Sequence, residues 1–394
     1  MVGAGTVATF LVAGGASLFM AWAIGAGSSG STPFAPAVGA NAISVMRAGF
    51  FVGLLGLAGA VLQGANVTEA VGRELIRNVT LSPTAATVGL ITAAILVALG
   101  VFAGYPIATA FTVTGAVVGV GLAMGGDPAW AKYQEIVTLW VAVPFVGGGA
   151  AFGTARLLRN ERVPETAAVP LLAGLVGAIL ANVEFVLLGP AGEAASLAAT
   201  AAAAIGGPPV ATRIGVTLVA AALVTLVLWL DMRGSPAAGQ RHFLLALGGL
   251  VAFSAGGSQV GLALGPLLPL LDSFELPLVA LLAGGGLGLL VGSWTGAPRM
   301  IKALSQDYSA LGPRRSIAAL IPSFAIAQTA VFFGVPVSFN EIIVSAIIGS
   351  GYAAGGSDVS GEKMLYTVLA WVASLAIAFG VSYGVFFILD AVLL

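Results

Sequence analysis

Long apolar runs follow one another along this chain and leave it one medium to fold in. A hydrocarbon core of roughly 30 Å takes about 17–25 apolar residues per helix. Such runs fill residues 4–27, 48–65, 85–103, 107–126, 134–156, 167–188, 210–230, 242–265, 277–296, 317–333, 338–354 and 366–392. Taken singly they make twelve transmembrane segments, with ten as the lower bound. The uncertain ones are 28–47 and the pairs joined at Gly104-Tyr-Pro106 and Gly334-Val-Pro336, which read either as spans or as re-entrant or broken helices. With 59% hydrophobic and 8% charged residues the chain lies far outside soluble composition. The expected fold is an all-α polytopic membrane protein. No basic stretch precedes the apolar run from Val2, so it reads as a first span and not as a cleaved signal.

Composition also narrows function. Cysteine is absent and His242 is the single histidine, so thiolate and histidine-rich metal sites are excluded. A net charge of −1 gives no attraction for nucleic acid. No GxxxxGK[ST] phosphate loop occurs, which argues against a built-in ATPase, and no nucleophile, base and orienting group stand at readable spacing. The chain is therefore read as a non-enzyme without a cofactor.

Charge and repetition suggest how the spans are arranged. With the loop carrying Arg299, Lys302, Arg314 and Arg315 in the cytoplasm, Arg47, Arg156, Arg159, Arg162, Arg233, Arg241 and Lys363 fall on the same side. Eleven of the fifteen basic residues then face inward and only Arg73, Arg77, Lys132 and Arg213 outward, with both termini outside a cell membrane. GYPIATAFTVTGAVVG (104–119) aligns without gaps on GVPVSFNEIIVSAIIG (334–349), and each is followed by a Trp-bearing span, EIVTLWVAVP or YTVLAWVASL. On that topology the copies run in opposite directions. The chain divides into a first inverted repeat at 1–160, intervening spans at 161–235 and a second inverted repeat at 236–394, the architecture of many secondary transporters.

Candidate chemistry gathers where Gly and Pro interrupt the apolar runs, at 25–44, 104–119, 253–266 and 334–349. Helix N-termini at such breaks expose free N–H groups and partial positive charge, which suits an anion. Ser28, Ser29, Ser31, Thr32, Thr109, Thr112, Ser258, Gln259, Ser338 and Asn340 are the expected substrate donors. For any one small residue close helix packing is the commoner role; recurrence at corresponding places in both halves favours a site. The glycines of 253–266 are expected to let the chain unwind at membrane depth. Glu341 lies inside an apolar segment beside Asn340, and a carboxyl there is by default a coupling group able to carry a proton; the alternative is a side chain reaching a watery vestibule. Glu184, outside the repeats, is expected to have a packing or interface role, and His242, beside Arg241, to sit at a membrane interface.

These residues resemble the inorganic phosphate transporter (PiT) family, whose members carry GANDVANA followed by GP in the second half and a similar segment in the first. GGSQVGLALGP (256–266) matches that frame without a gap, and GSSGSTPF (27–34) with AVGANAIS (37–44) is similar to the first copy. GAVLQGANVTEAVG (59–72), Gly104-Tyr-Pro106 with Thr109, and Gly334-Val-Pro-Val-Ser338 against GxPVSTTH extend the likeness over most of the chain. The resemblance implies transport of an inorganic oxyanion, phosphate or sulfate, commonly by dimers. In the family the GAND aspartates are implicated in binding the coupling sodium; here those positions read Ser29 and Gln259, and the STTH histidine reads Phe111 and Glu341. Neutral side chains suit a hard cation less well, so the coupling ion is expected to be a proton before sodium. The missing first GAND and the FSAG of the second half also look like the family's sulfate permease branch, thought to be proton-linked. Outside coupled transport, an anion channel or facilitator and a non-transporting scaffold or sensor are the competing readings.

Overall fold

The computed structural model describes residues 4–190, 193–271, 276–357 and 359–393; the apolar start at Val2 lies outside them. The described chain is nearly all-helical. At membrane depth every backbone donor and acceptor must be satisfied within the protein, and helices achieve this segment by segment. α1 (Ala4–Gly27) leads into turns at 28–34 and one helical turn, α2 (Ala35–Gly39), followed by α3 (Val45–Gln63) and the short amphipathic α4 (Ala65–Arg73). α5 (Pro83–Ala103) and α6 (Thr109–Ala123) form a hairpin, and α7 (Trp130–Leu158) completes this half. Between the halves stand α8 (Glu165–Asn182), α9 (Leu197–Ile205) and α10 (Pro209–Gly234). The same order then recurs: α11 (Pro236–Leu264), a 3-10 turn at Gly265–Leu267 with α12 (Leu268–Leu271), α13 (Leu278–Thr295), the amphipathic α14 (Ala297–Gln306), a hairpin of α15 (Pro313–Phe333) and α16 (Phe339–Tyr352), and α17 (Gly361–Leu393). Two antiparallel strand pairs, each strand two residues long, complete the description: β1 (Ile76–Arg77) with β2 (Asp127–Pro128), and β3 (Glu184–Phe185) with β4 (Ala195–Ser196).

Among the described residues ten helices are long and apolar enough to cross a membrane, by length and composition, which matches the lower bound of the expected count. The expected spans at 107–126 and 338–354 are the return arms of hairpins. α6 has 15 residues and α16 has 14, which at 1.5 Å per residue reach only about 21–23 Å. The outer ends of the first hairpin are tied together by the β1–β2 pair. Those of the second are joined where Ser360 N–H donates to Tyr308 O at 3.2 Å. Each hairpin therefore enters and leaves on one face. Gly104 and Gly334 end α5 and α15 with φ of 74° and 62°, a left-handed conformation that favours glycine, and Pro106 or Pro336 then delays the next helix.

The stretch 28–47 is not re-entrant either. Ser17 Oγ donates to Ala263 O at 2.8 Å, near the C-terminal end of α11, whereas Arg241 Nε donates to Ala42 O at 2.9 Å, near its N-terminal end. The chain from 17 to 42 thus runs along most of α11, and 28–44 continues the path of α1.

The glycines of 253–264 do not unwind the chain: α11 is helical throughout, and the break comes only at Gly265-Pro266. Their role is close approach. A Cβ on Gly256 would collide with the Gly56 carbonyl of α3, and one on Gly261 would meet Val67 and Thr68. Backbones this close gain dispersion contacts where lipid offers helices little hydrophobic reason to associate. Gly256→Val should force α11 off α3 at an overpacking cost of about 1–3 kcal/mol, seen as a lower melting temperature of the purified protein in detergent.

The halves also meet in matching ways. α6 packs against α17 with Gly119 at the Phe379 carbonyl, and α16 packs against α7 with Gly349 at the Gly148 carbonyl. Trp140 Nε1 on α7 donates to Pro336 O at 2.9 Å, while Trp371 Nε1 on α17 donates to Pro106 O at 2.7 Å. Each hairpin tip is held by the tryptophan that follows the other hairpin.

Candidate functional site

The two hairpin tips, the end of α1 and the middle of α11 meet in a buried polar centre. Gln259 is its hub. Its Oε1 accepts from Thr109 Oγ1 at 2.7 Å and from Ser28 Oγ at 3.2 Å, and its Nε2 donates to Val337 O at 2.6 Å. Thr109 is the first residue of α6 and Val337 belongs to the opposite tip, so one amide joins α1, α11 and both hairpins. Asn340 makes the reciprocal tie from α16, with Nδ2 donating to Gly27 O at 2.9 Å and to Ile107 O at 2.6 Å. Both amide hydrogens are used, which fixes the flip of the group. Ser28, Thr109 and Gln259 are wholly buried and Asn340 and Glu341 are 1% exposed, so nothing reaches this centre from either face without movement of the surrounding helices.

The backbone adds donors. The first rungs of α6 and α16 run from Thr112 N–H to Ala108 O and from Ile342 N–H to Ser338 O. The N–H groups of 109–111 and 339–341 therefore have no acceptor in their own helices. Two helix N-termini converge on the amide pair, and their partial positive charges favour an anion between them. Around them several buried oxygens lack hydrogen-bond partners: Ser29 Oγ, Ser258 Oγ, Ser338 Oγ, Asn340 Oδ1 and Glu341 Oε2. A buried polar atom without a partner is costly, and with Thr114 Oγ1 further along α6 six occur on the elements that form the centre.

Most of the residues expected from sequence are at or beside this centre, with differences. Ser28, and not Ser29, stands against Gln259. Ser31 Oγ and Thr32 Oγ1 both turn back to Ser28 O, at 3.1 and 3.0 Å, and so shape the turn. Thr112 faces away, its Oγ1 lying 3.0 Å from Ala108 O and 3.1 Å from Ser374 Oγ on α17. Phe111, which corresponds to Glu341 in the other hairpin, is stacked on Trp140 with ring centroids 3.8 Å apart. The Glu184 backbone carbonyl accepts from Gln63 Nε2 at 2.8 Å. His242 is exposed, with Nδ1 2.8 Å from Asp231 Oδ2. Three contributors were not foreseen: the carbonyls of Gly27, Ile107 and Val337, which only the fold brings to the amides.

Trp371→Phe should release the Pro106 carbonyl. An interhelical bond of this kind is worth about 0.6 kcal/mol on average and about 1.7 at most, so a melting temperature lowered by a few degrees in detergent is the expected result. Trp140→Phe should act equally on the second tip.

A polytopic helical bundle with two hairpin tips meeting at a buried donor-rich centre defines a class of membrane protein built to enclose a small polar solute. Residues 24–382 match the Phosphate transporter family, and the chain belongs to that family. It is 24% identical over 402 residues to a candidate phosphate permease of Thermococcus kodakarensis, covering 94% of this chain and 95% of the relative. It is likewise 24% identical over 408 residues to the chloroplastic inorganic phosphate transporter 2-1 of Arabidopsis thaliana, covering 91% of this chain and 68% of that one. A solved structure titled the sodium-dependent phosphate transporter superposes with a TM-score of 0.81 at 22% identity, covering 98% of this chain and all of that one, a likeness of fold.

Proposed function

We propose that this protein is a secondary transporter of inorganic phosphate working by alternating access, with the anion bound between the N-termini of α6 and α16 and a proton carried by Glu341. The single observation that carries the reading is the meeting of the two hairpin tips around Gln259 and Asn340, both buried and both tied to backbone of the opposite half. Complete burial supports a cycle in which the halves, 1–160 and 236–394, act as inverted repeats that open to one face and then the other, with 161–235 between them. Counting each hairpin as two spans or as a single re-entrant element leaves the side of every charged loop unchanged. The inward bias of eleven basic residues, and both termini outside the cell membrane, are therefore kept in the proposal.

Phosphate is favoured over sulfate because Asn340 Oδ1 is an acceptor without a partner; Glu341 Oε2 adds a second acceptor only when the carboxyl is ionised, and protonated it serves either anion. Hydrogen phosphate can donate to such an oxygen and sulfate cannot. Sodium is the second reading for the coupling ion, supported by the solved structure titled as sodium-dependent. Against it, Ser29 and Gln259 bring no negative charge, which a hard cation prefers. Purified protein in liposomes, loaded to impose a proton or a sodium gradient and offered labelled phosphate or sulfate, tests the reading. Saturable phosphate uptake driven by the proton gradient is expected. Sulfate uptake, sodium-driven uptake or flux indifferent to both gradients would replace it with the sulfate permease, the sodium symporter or the facilitator.

A further inference from the structure

A second cluster of anion-binding chemistry lies away from the buried centre, on the arginine-rich face. A cavity of about 510 Å³ opens there, within the range of roughly 300–1,000 Å³ usual for small-molecule sites. It is lined by Arg159 at the end of α7, Glu165 at the start of α8, Gln240 near the start of α11, and Arg314 and Arg315 at the start of α15. Three arginines thus share one cavity with a single carboxylate. Arg314 pairs with Glu165, and Gln240 Nε2 donates to Glu165 Oε2 at 3.0 Å. Arg315 is braced by its own loop, with Nη1 donating to Ala310 O at 2.6 Å. Arg159 makes no ion pair among the described residues. α8 and α15 begin at this cavity, so two helix N-termini add to the positive potential of the arginines.

We propose that this cavity is a binding site for a phosphate group, carried by an anionic phospholipid headgroup or by free inorganic phosphate. Arginine suits a phosphate better than lysine because its planar fork offers two parallel donors to two oxygens. Basic pockets between membrane helices are known settings for anionic headgroups. An anion held here joins the root of the second hairpin to α7 and α8, at the opposite end of the hairpin from Val337 and Asn340. Glu165 is the opposing charge: it occupies Arg314 and competes with the ligand. The simpler origin of the cluster is loop charge that fixes membrane orientation, which requires no ligand.

The protein purified in detergent can be titrated by calorimetry with dihexanoyl phosphatidic acid, with dihexanoyl phosphatidylcholine as the control of zero net charge, and with inorganic phosphate. Phosphatidic acid is too bulky for the buried centre, so its result stands apart from the transport reading. The phosphate arm is run on Asn340→Ala protein, in which the buried centre is disrupted. Losing one charge-assisted bond of about 1.5–3 kcal/mol should weaken binding at least tenfold in Arg159→Gln. Glu165→Gln should tighten it several-fold, an effect opposite to that of a damaged fold. Phosphatidic acid binding with this pattern assigns the site to a lipid headgroup, and phosphate binding alone with this pattern assigns it to the free anion. Equal affinity of wild type, Arg159→Gln and Glu165→Gln for both probes overturns the proposal.

Discussion

Glu341→Gln should abolish proton-driven accumulation of phosphate while leaving exchange of phosphate across the membrane largely intact. The substitution keeps the shape of the side chain and removes its proton chemistry. Glu341 is 1% exposed and its Oε2 has no hydrogen-bond partner, so it cannot rest there as a solvated bystander. A group in that position exchanges its proton only when the site opens, and this couples the proton to the same movement that releases the anion. In liposomes the mutant should lose the response to an imposed pH gradient by tenfold or more, whereas counterflow of labelled against unlabelled phosphate, which needs no net proton movement, should fall by less than about threefold. Each factor of ten corresponds to about 1.4 kcal/mol at 25 °C, well within what a buried ionisable group controls. A mutant that still accumulates phosphate on a proton gradient would remove Glu341 from the coupling mechanism. A mutant that loses counterflow as well would make it a binding residue.

How far the sequence could be read depended on whether a feature was local. The long apolar runs and the Gly-x-Pro stops act within a few residues, so the helices and both tips were legible. Gly104 and Gly334 announce helix ends because a left-handed residue after a helix favours glycine. Whether α5 and α6 were two spans or one hairpin was not legible. It depends on the β1–β2 pair at the outer ends, two residues per strand with no pattern of their own. The glycines of α11 were misread for a related reason. Unwinding and close approach both call for glycine, and only the position of the Gly56 carbonyl on α3, some two hundred residues away in the chain, decides between them.

Register within the candidate site failed on the same ground. The stretch 28–34 is made of turns, whereas its counterpart in α11 is regular helix, so a match of letters could not tell Ser28 from Ser29. The buried amide pair of Gln63 and Gln328, with Nε2 of Gln328 donating to Ser254 Oγ at 2.6 Å, was invisible as well. It consists of isolated polar residues in separate apolar helices, and neither one signals the other.

Asn340→Ala should be the most damaging single change at the hairpin tips. It removes two donors at once and leaves the Gly27 and Ile107 carbonyls without them in a buried centre. Each buried acceptor left unsatisfied costs about 1–3 kcal/mol, so the closed arrangement of the tips should lose roughly 2–6 kcal/mol relative to states in which water reaches them. The cost is charged to one conformation of a cycle and not to the fold as a whole, because α15, α16 and the tryptophan ties of both tips remain. Phosphate affinity should therefore fall by a hundredfold or more in calorimetric titrations, while the melting temperature in detergent drops by only a few degrees. Asn340→Asp separates the two contributions of the amide. It keeps the oxygen but loses both donor hydrogens and, when ionised, sets a negative charge against two carbonyls and beside Glu341, so it should bind phosphate no better than the alanine variant. If Asn340→Ala instead binds phosphate like the wild type, and still does so when Arg159→Gln is added, the anion does not depend on the closed tips, and the site must be sought along α11 at Ser258 and Gln259.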